Sequence, residues 1–353
     1  MTLRTILTYS EGSPDASSAI RLFRAEAELP PLKESDVAVQ FLASPVTPQD
    51  LLVIAGRYPV KPSHKHEHLA IPGYDGVCRV TAVGSKVTAL QPGDHAVPSR
   101  HGLGTWRSHA VVDSSALVKV PRELDSVAAS SLKMGAVVAW LLLEEQDGLG
   151  PGDWIVQNAA SGVIGQFVAQ LARLRGLNTL SVVRDREDVE SVRQRLLDLG
   201  ASVVMTEAEL ETCQGQVPCL DGKRVVLALD SVFGEPGKRL VGVLTPGASY
   251  INYGSLGGAD GELRLSQKDL FWKHIKFTNF RLSAVLAAYD QNQFADLLDW
   301  LSRCFLQGQL RVPEVDLVHL SRAEDPERLA RDTLAKATAQ ERVGHKRQVF
   351  VFE

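Results

Sequence analysis

Two glycines and two arginines of this 353-residue chain have the types and spacing of a site for a phosphorylated dinucleotide. The apolar run at residues 154–156 predicts a short parallel strand that is buried on both faces. Gly162 and Gly165 follow it and allow a tight backbone turn. Such a turn directs the N-terminus of the next helix, with its N–H groups, toward a pyrophosphate.

The two arginines bear on whether the expected dinucleotide carries a 2′-phosphate. Leucines at helical spacing follow the glycines, and residues 179–183 predict the second strand of a strand–helix–strand unit. A fold that binds NAD usually has a carboxylate about 20 residues past the glycines, where it holds the ribose 2′-hydroxyl. Arg184 and Arg186 occupy that region here, on either side of Asp185. Because two guanidinium groups can bind a 2′-phosphate through paired hydrogen bonds, the sequence predicts NADPH.

The elements that must position these residues predict an α/β protein in two parts. Strands and turns dominate residues 1 to about 125, whereas strands alternate with helices from about 126 to 285. The alternating region is expected to form a doubly wound parallel sheet. Its further strands are expected within SVRQRLLDLGASVVMTE, RVVLALDSVFG, ASYINYGSL and IKFTNFRL. Helices at about 292–306 and 326–337 and the strand RQVFVFE close the chain.

Composition limits the classes of partner and compartment. A net charge of −4 gives no electrostatic reason to expect nucleic acid or an anionic membrane as partner. No apolar run has the length of a transmembrane helix. The cysteines, at positions 78, 213, 219 and 304, form neither a CxxC pair nor a zinc quartet, which indicates a reducing compartment. With no secretory signal pattern, we expect a cytoplasmic protein, or one of the mitochondrial matrix if a transit peptide has been removed.

The motifs QNAASGVIGQ, SVVRDRED, GLGTWRSHAVV and AGRYP together resemble those of the trans-2-enoyl-thioester reductases of mitochondrial fatty acid synthesis. These belong to the medium-chain dehydrogenase/reductase superfamily, in its quinone oxidoreductase-like branch. The resemblance spans nearly the whole chain. It implies a GroES-like β-barrel catalytic domain, formed by residues 1–125 and completed by about 310–353, and a Rossmann NADPH-binding domain at 126–309. It also implies a homodimer, an enoyl-thioester substrate and an acyl-carrier protein as candidate donor of that substrate.

The catalytic residue that the resemblance implies is Tyr58, in the step GRYP, where the family has a tyrosine in an N-Y-G loop. Hydride from NADPH is expected to reach the β-carbon of the enoyl group while negative charge builds on the carbonyl oxygen. A phenol, with an ordinary pKa of about 10, stays protonated at neutral pH and can donate to that oxygen. Whether Tyr58 or water then protonates the α-carbon stays open. The alternative interpretation is a turn residue restricted by Pro59.

Other cofactor contacts are implied by position. Four residues of the glycine turn are expected at the pyrophosphate, seven at the ends of two later strands beside nicotinamide and substrate, and one late lysine near the adenosine phosphate. In that order they are Ser161, Gly162, Val163 and Ile164; Tyr253, Gly254, Ser255, Leu256, Phe280, Arg281 and Leu282; and Lys346. For Tyr253 and Phe280, a place in the sheet core is an equally good interpretation.

No metal is expected. Zinc-dependent members of the superfamily have a Gly-His-Glu step where this chain has Gly-Tyr-Asp-Gly at residues 73–76, with no histidine or cysteine to coordinate zinc. His64, His66 and His68 alternate and could share one face of an extended segment. Because no cysteine or carboxylate motif accompanies them, we interpret this run as an exposed loop.

Departures from the family pattern flank the expected acyl pocket. Arg57 and Pro59 replace the usual asparagine and glycine around the tyrosine, Arg281 replaces a tryptophan, and Gly135 replaces an asparagine beside the nicotinamide. Arg281 could meet a carboxylate or a phosphate of a different substrate. Two alternatives therefore stay open. One is a reductase of another α,β-unsaturated carbonyl, such as an enone, a quinone or a polyketide intermediate; the other is an NADPH-binding protein without activity.

Overall fold

The computed structural model describes residues 2–13, 15–144, 146, 148–258, 261–338 and 346–352. Contacts divide the chain into two compact units. The N-terminal unit comprises Met1–Lys133, Tyr289–Gln307 and Glu314–Glu353, and the central unit comprises Met134–Ala288 and Gly308–Pro313. No helix of the described residues combines the length and the hydropathy that a membrane span requires.

The strands of the N-terminal unit are mostly antiparallel and have two to ten residues, whereas the strands of the central unit are all parallel and have four to six. In chain order they are β1 (Thr2–Tyr9), β2 (Ile20–Ala27), β3 (Asp36–Pro45), β4 (Lys65–His66), β5 (Leu69–Ala70), β6 (Val77–Val83), β7 (His95–Pro98), β8 (His109–Asp113), β9 (Leu117–Val120), β10 (Trp154–Gln157), β11 (Asn178–Val183), β12 (Val203–Thr206), β13 (Val225–Asp230), β14 (Ser249–Asn252), β15 (Lys276–Asn279), β16 (Val315–His319) and β17 (Arg347–Val351).

The helices have between four and sixteen residues. In chain order they are α1 (Ala16–Ala19), α2 (Pro48–Ile54), α3 (Ser126–Ser130), α4 (Val138–Glu144), α5 (Val163–Leu174), α6 (Val189–Leu199), α7 (Glu207–Thr212), α8 (Glu235–Val243), α9 (Leu282–Val285), α10 (Gln291–Leu306) and α11 (Pro326–Thr338). A π-helical turn, Leu132–Val137, links α3 to α4.

The N-terminal unit is built on two sheets. A seven-stranded sheet has the order β16–β17–β3–β6–β7–β9, with β8 also paired to β3, and a four-stranded sheet has the order β2–β1–β5–β4. Strand β17, at the end of the chain, pairs antiparallel with β3. Its Phe350 ring packs edge-on against Trp106, with ring centroids 5.1 Å apart. The last strand of the chain therefore contributes to the core of the N-terminal unit.

The central unit is a six-stranded parallel sheet of order β12–β11–β10–β13–β14–β15. Its central strands are short apolar runs, and all four residues of β10 are buried, as expected for a strand covered on both faces. Helix α6 ends at Gly200, which adopts a left-handed φ of 110°. This order is that of a doubly wound dinucleotide-binding sheet, so the predicted fold class is confirmed.

The contacts divide the chain differently from the expected boundaries at 125 and 309. Helix α10 lies in the N-terminal unit, where it packs against β9, instead of in the parallel-sheet unit. It buries Phe294, Leu298 and Leu301 along one face. The amphipathic pattern predicted the helix but carried no information about which unit receives its apolar face.

Candidate active site

The carboxyl ends of the parallel strands bring most of the expected cofactor residues to one edge of the central unit. Strands β11 and β12 extend the sheet on one side of β10, and β13 to β15 extend it on the other. The strand order therefore reverses between β10 and β13. In open α/β sheets, ligands bind beyond the carboxyl ends at such a switch point.

The turn from β10 to α5 has the geometry of an anion-binding helix N-terminus. Gly162 is the N-cap of α5, is exposed, and has no side chain that could occupy the space in front of the helix. The N–H groups and the dipole of α5 face that space. Ala159 adopts a left-handed φ of 47°, which is uncommon for a residue with a Cβ and marks the tightness of this turn. Val163 and Ile164, with Ser161, lie beside the N-cap as predicted by position.

A buried polar network that the sequence did not predict supports this turn. Asn158 donates from its side-chain amide to Asp230 Oδ1 at 2.6 Å, and its own Oδ1 accepts the N–H of Ser231 at 2.9 Å. Asp230 also accepts the Tyr250 hydroxyl and the N–H groups of the two residues after Ser231. The network joins the ends of β10 and β13 across the switch point. Its only sequence signal is a carboxylate ending the apolar run VVLALD.

The two arginines lie immediately beyond β11, as predicted. Arg184 is exposed, and Arg186 forms a two-point ion pair with Asp188, whose second bond, from Nη2 to Oδ2, measures 2.9 Å. The Arg186 guanidinium lowers the pKa of the Asp188 carboxyl. Asp185, between the arginines, accepts the N–H of Ala208 at 3.2 Å. Arg184 is thus exposed at the strand end, whereas the Arg186 side chain is 10% exposed and is held by Asp188.

The later strand ends carry the remaining central-unit candidates. Tyr253 follows β14 and donates its N–H to the carbonyl of Asp230 at 2.9 Å, and burial raises the pKa of its phenol to about 12. Gly254 is half-buried, while Ser255 and Leu256 are exposed. After β15, Phe280 and Leu282 are buried and Arg281 is exposed. The structure therefore brings these residues to the same sheet edge as the glycine turn.

Tyr58 and Lys346 belong to the N-terminal unit. Lys346 precedes β17 and its Nζ lies 3.1 Å from the Glu314 carboxylate. Tyr58 is half-buried in the loop after α2, a helix that starts with a reciprocal cap between Thr47 and Asp50. The Tyr58 ring packs edge-on against Tyr74, with centroids 6.0 Å apart.

Buried charges surround Tyr74 in the same unit. Lys133, which the sequence did not single out, is fully buried and donates from Nζ to the carbonyls of Tyr74 at 2.6 Å and Arg100 at 3.0 Å. Burial lowers the pKa of Lys133 to about 8 and raises the pKa of Asp50 to about 6. From the sequence, an isolated lysine in an apolar run is expected to be exposed. Only the structure shows that Lys133 is buried against two backbone carbonyls.

The three alternating histidines do not converge. His66 lies in the two-residue strand β4 and packs edge-on against Phe23, with ring centroids 4.7 Å apart. His64 instead contacts Ser63, its Nδ1 lying 3.0 Å from the serine hydroxyl. Among the residues that the structure describes, no three His, Cys, Asp or Glu side chains are grouped as metal ligands would be.

The fold and the site together define a class of protein. A family model described as the alcohol dehydrogenase GroES-like domain matches residues 33–122, within the N-terminal unit. Joined in one chain to the doubly wound sheet, it identifies a member of the medium-chain dehydrogenase/reductase superfamily.

Sequence comparison then assigns the chain to a family within that class. It is 37% identical over 286 residues to the mitochondrial enoyl-[acyl-carrier-protein] reductase of Rattus norvegicus, which covers 81% of this chain and 75% of the rat protein. The chain belongs to the family of these reductases, and the predicted resemblance is confirmed.

Solved structures show the same fold over the full chain. The mitochondrial 2-enoyl thioester reductase Etr1p/Etr2p heterodimer from Candida tropicalis has a TM-score of 0.87 at 23% identity and covers 100% of both chains. The complex of Etr1p with NADP and crotonyl-CoA has a TM-score of 0.88 at 24% identity, also covering 100% of both chains.

Proposed function

We propose that this protein uses NADPH to reduce the C2–C3 double bond of a trans-2-enoyl thioester. The observation that carries the proposal is the pair Arg184 and Arg186 at the end of β11, beside the open N-terminus of α5. The helix N-terminus suits a pyrophosphate, and the guanidinium groups suit a 2′-phosphate. Membership of the enoyl reductase family supports the substrate, and the Etr1p complex is described as holding NADP and crotonyl-CoA.

We assign a different role to each of the two units. The central unit binds NADPH through the glycine turn, the arginine pair and the ends of β14 and β15. The N-terminal unit supplies Tyr58 and Lys346, the latter for the adenosine phosphate. When bound, NADPH supplies hydride to the β-carbon of the enoyl group.

In this proposal Tyr58 stabilises the enolate that forms when hydride is transferred. Its phenol donates a hydrogen bond to the thioester carbonyl oxygen, where charge accumulates as the enolate forms. One well-placed donor of this kind lowers the barrier by roughly 3 to 4 kcal/mol. Tyr58 as a whole is half-buried, so part of the residue can face a substrate. The α-carbon then takes a proton from Tyr58 or from water.

Steady-state assays test the reaction. We expect oxidation of NADPH with crotonyl-CoA or longer enoyl thioesters, and a strong preference for NADPH over NADH. Turnover of a free enone or a quinone, together with no turnover of the enoyl thioesters, would identify the ene-reductase alternative. Tight NADPH binding with no turnover of any of these acceptors would favour the non-catalytic alternative. An acyl-carrier-protein thioester, assayed beside the CoA thioester, tests whether a carrier protein delivers the substrate.

We propose that two copies associate through β15 to form a homodimer. Strand β15 is the last strand of the parallel sheet, and edge strands with exposed N–H and C=O groups readily pair with another chain. Beside it, Leu270, Phe271 and Trp272 are 51%, 59% and 68% exposed, and such apolar patches mark protein interfaces. The heterodimer of the Candida reductases supports association of two chains. A Trp272→Glu variant is expected to shift the protein toward a monomer in analytical ultracentrifugation.

The names of the relatives favour the mitochondrial alternative over a cytoplasmic location. We propose the matrix as the compartment. Fractionation of cells that express the full-length gene product, with matrix and cytosolic markers, tests this assignment. Recovery in the cytosolic fraction alone would contradict it.

A further inference from the structure

Every polar group of Tyr74 is hydrogen-bonded within the N-terminal unit. Its N–H donates to Asp50 Oδ1 at 3.1 Å, its carbonyl accepts from Lys133 Nζ at 2.6 Å, and its hydroxyl donates to the carbonyl of Val60. The residue has no exposed surface. A buried tyrosine bound at three points cannot turn or shift without breaking a hydrogen bond in a place that water does not reach.

Two of the three bonds involve buried charged groups. Asp50 and Lys133 are both fully buried and both bind the Tyr74 backbone, one accepting its N–H and the other donating to its carbonyl. Hydrogen bonds with a charged partner are about twice as strong as neutral ones. Lys133 also donates to the carbonyl of Arg100 at 3.0 Å, which ties the loop before Trp106 to the same point.

The third bond reaches the loop that carries Tyr58. Val60, whose carbonyl accepts the Tyr74 hydroxyl, is two residues beyond Tyr58. The rings of Tyr58 and Tyr74 also meet edge-on at an interplanar angle of 69°. Tyr74 therefore holds the Tyr58 loop both through a hydrogen bond to its backbone and through ring packing. Gly56, at a left-handed φ of 73°, follows the C-cap of α2, and residues 57–60 form neither helix nor strand.

We propose that Tyr74 and Lys133 are positioning residues for the catalytic phenol: Lys133 fixes the backbone of Tyr74, and Tyr74 fixes the orientation of Tyr58. This inference rests on the proposed role of Tyr58. It adds to that role a chain of contacts, from a buried ammonium group to the reacting hydroxyl, that has no part in binding the dinucleotide. A small displacement of a catalytic group is enough to slow a reaction about 100-fold.

Tyr74→Phe is the central variant, because it removes only the hydroxyl that reaches Val60. We expect kcat with crotonyl-CoA to fall about 10-fold, less than the roughly 100-fold that displacement of a catalytic group can cause. The Kd for NADPH should not change. Tyr9→Phe is the matched control, since Tyr9 is also a buried tyrosine of this unit, 2% exposed, and its kcat should equal that of the unaltered protein. All rates are measured well below the melting temperature of each variant.

A double-mutant cycle with Tyr58→Phe decides whether Tyr74 acts through Tyr58. In the Tyr58→Phe background, Tyr74→Phe should lower kcat by less than about 2-fold, because residues acting through one another are not additive. Lys133→Met should behave in the same way; if it does not fold, the Tyr74→Phe arm still decides. An equal loss from Tyr74→Phe in both backgrounds would overturn the positioning role, as would a fall in melting temperature with kcat unchanged.

The cycle separates this inference from the proposed function. Full activity in Tyr58→Phe would remove both the catalytic and the positioning roles. A large loss in Tyr58→Phe with an additive loss from Tyr74→Phe would leave the catalytic assignment intact and reject only the positioning. If a free enone proves to be the substrate, the same cycle is measured with that acceptor.

Discussion

Gly165 lies directly against the backbone of Ala160. A Cβ at position 165 would stand 2.7 Å from the Ala160 Cα and 2.8 Å from its carbonyl oxygen, closer than real Cβ atoms approach. The first turn of α5 can therefore pack onto the turn that follows β10 only if residue 165 has no side chain. This contact sets where the helix N-terminus faces, and hence where an anion could bind.

Gly165→Ala should lower both stability and NADPH affinity. The backbone atoms of Ala160 cannot move aside as a flexible side chain would, so we expect a loss of about 1 to 3 kcal/mol in the free energy of unfolding, typical of overpacking. Urea unfolding and calorimetry of NADPH binding measure the two effects. Gly242→Ala is the matched control in helix α8, where the nearest atom to an added Cβ is 3.8 Å away. Unchanged stability in Gly165→Ala would contradict the packing argument.

Replacement of both Arg184 and Arg186 by alanine should erode the preference for NADPH. We expect the Kd for NADPH to rise by at least about 10-fold, because charge-assisted hydrogen bonds to phosphate are strong. The Kd for NADH should stay the same, and added salt should weaken NADPH binding less than in the unaltered protein. Isothermal calorimetry measures both. Arg303→Ala, which removes an ion-paired arginine of α10, is the control. An unchanged ratio of the two affinities would reject the arginine assignment.

Tyr58→Phe should reduce turnover while leaving the dinucleotide site intact. The loss of one donor to the developing enolate is expected to lower kcat by roughly 100- to 1,000-fold. The Kd for NADPH should be unaffected, because the glycine turn and the arginines belong to the other unit. Single-turnover rates with crotonyl-CoA measure the chemical step directly. Retention of full activity would mean that another group, or water, stabilises the enolate.

Lys133 should make stability depend on pH in the alkaline range. Burial lowers its pKa from 10.5 to about 8 in the folded protein, against the opposing attraction of Asp75 and Asp50. His101, whose own pKa is lowered to about 3, is neutral there. Between pH 8 and 10.5 the folded state has lost a proton that the unfolded state keeps, so this residue makes stability rise with pH.

Comparison with Lys133→Met isolates that effect. The free energy of unfolding of the unaltered protein, minus that of the variant, should be flat from pH 7 to about 8 and then increase. The slope should not exceed about 1.4 kcal/mol per pH unit, the limit for one proton. Urea denaturation at intervals of one pH unit measures it. A difference that does not change with pH would show that the pKa of Lys133 is the same in the folded and unfolded states.

Local pattern alone was enough to predict much of the central unit. Strand β10, the glycine turn, helix α5 and strand β11 depend on apolar periodicity, on backbone freedom at two glycines and on short-range spacing. The same reasoning located Arg184 and Arg186 at the end of β11. The helix near 292–306 was also predicted correctly as a helix, at Gln291–Leu306, but its unit was not, because periodicity defines an apolar face without naming what covers it.

The sequence by itself determined the strand–helix alternation, the glycine turn and the cationic strand end, since each follows from residues close together in the chain. Only the tertiary structure decided the contacts that support them. Asn158 and Asp230 are 72 positions apart, and Tyr74 and Lys133 are 59 apart. Strand order and loop packing bring these pairs together, and neither is encoded in the spacing of neighbouring residues. The buried ammonium group of Lys133 is recognised only when the tertiary structure places it against the carbonyl groups of Tyr74 and Arg100.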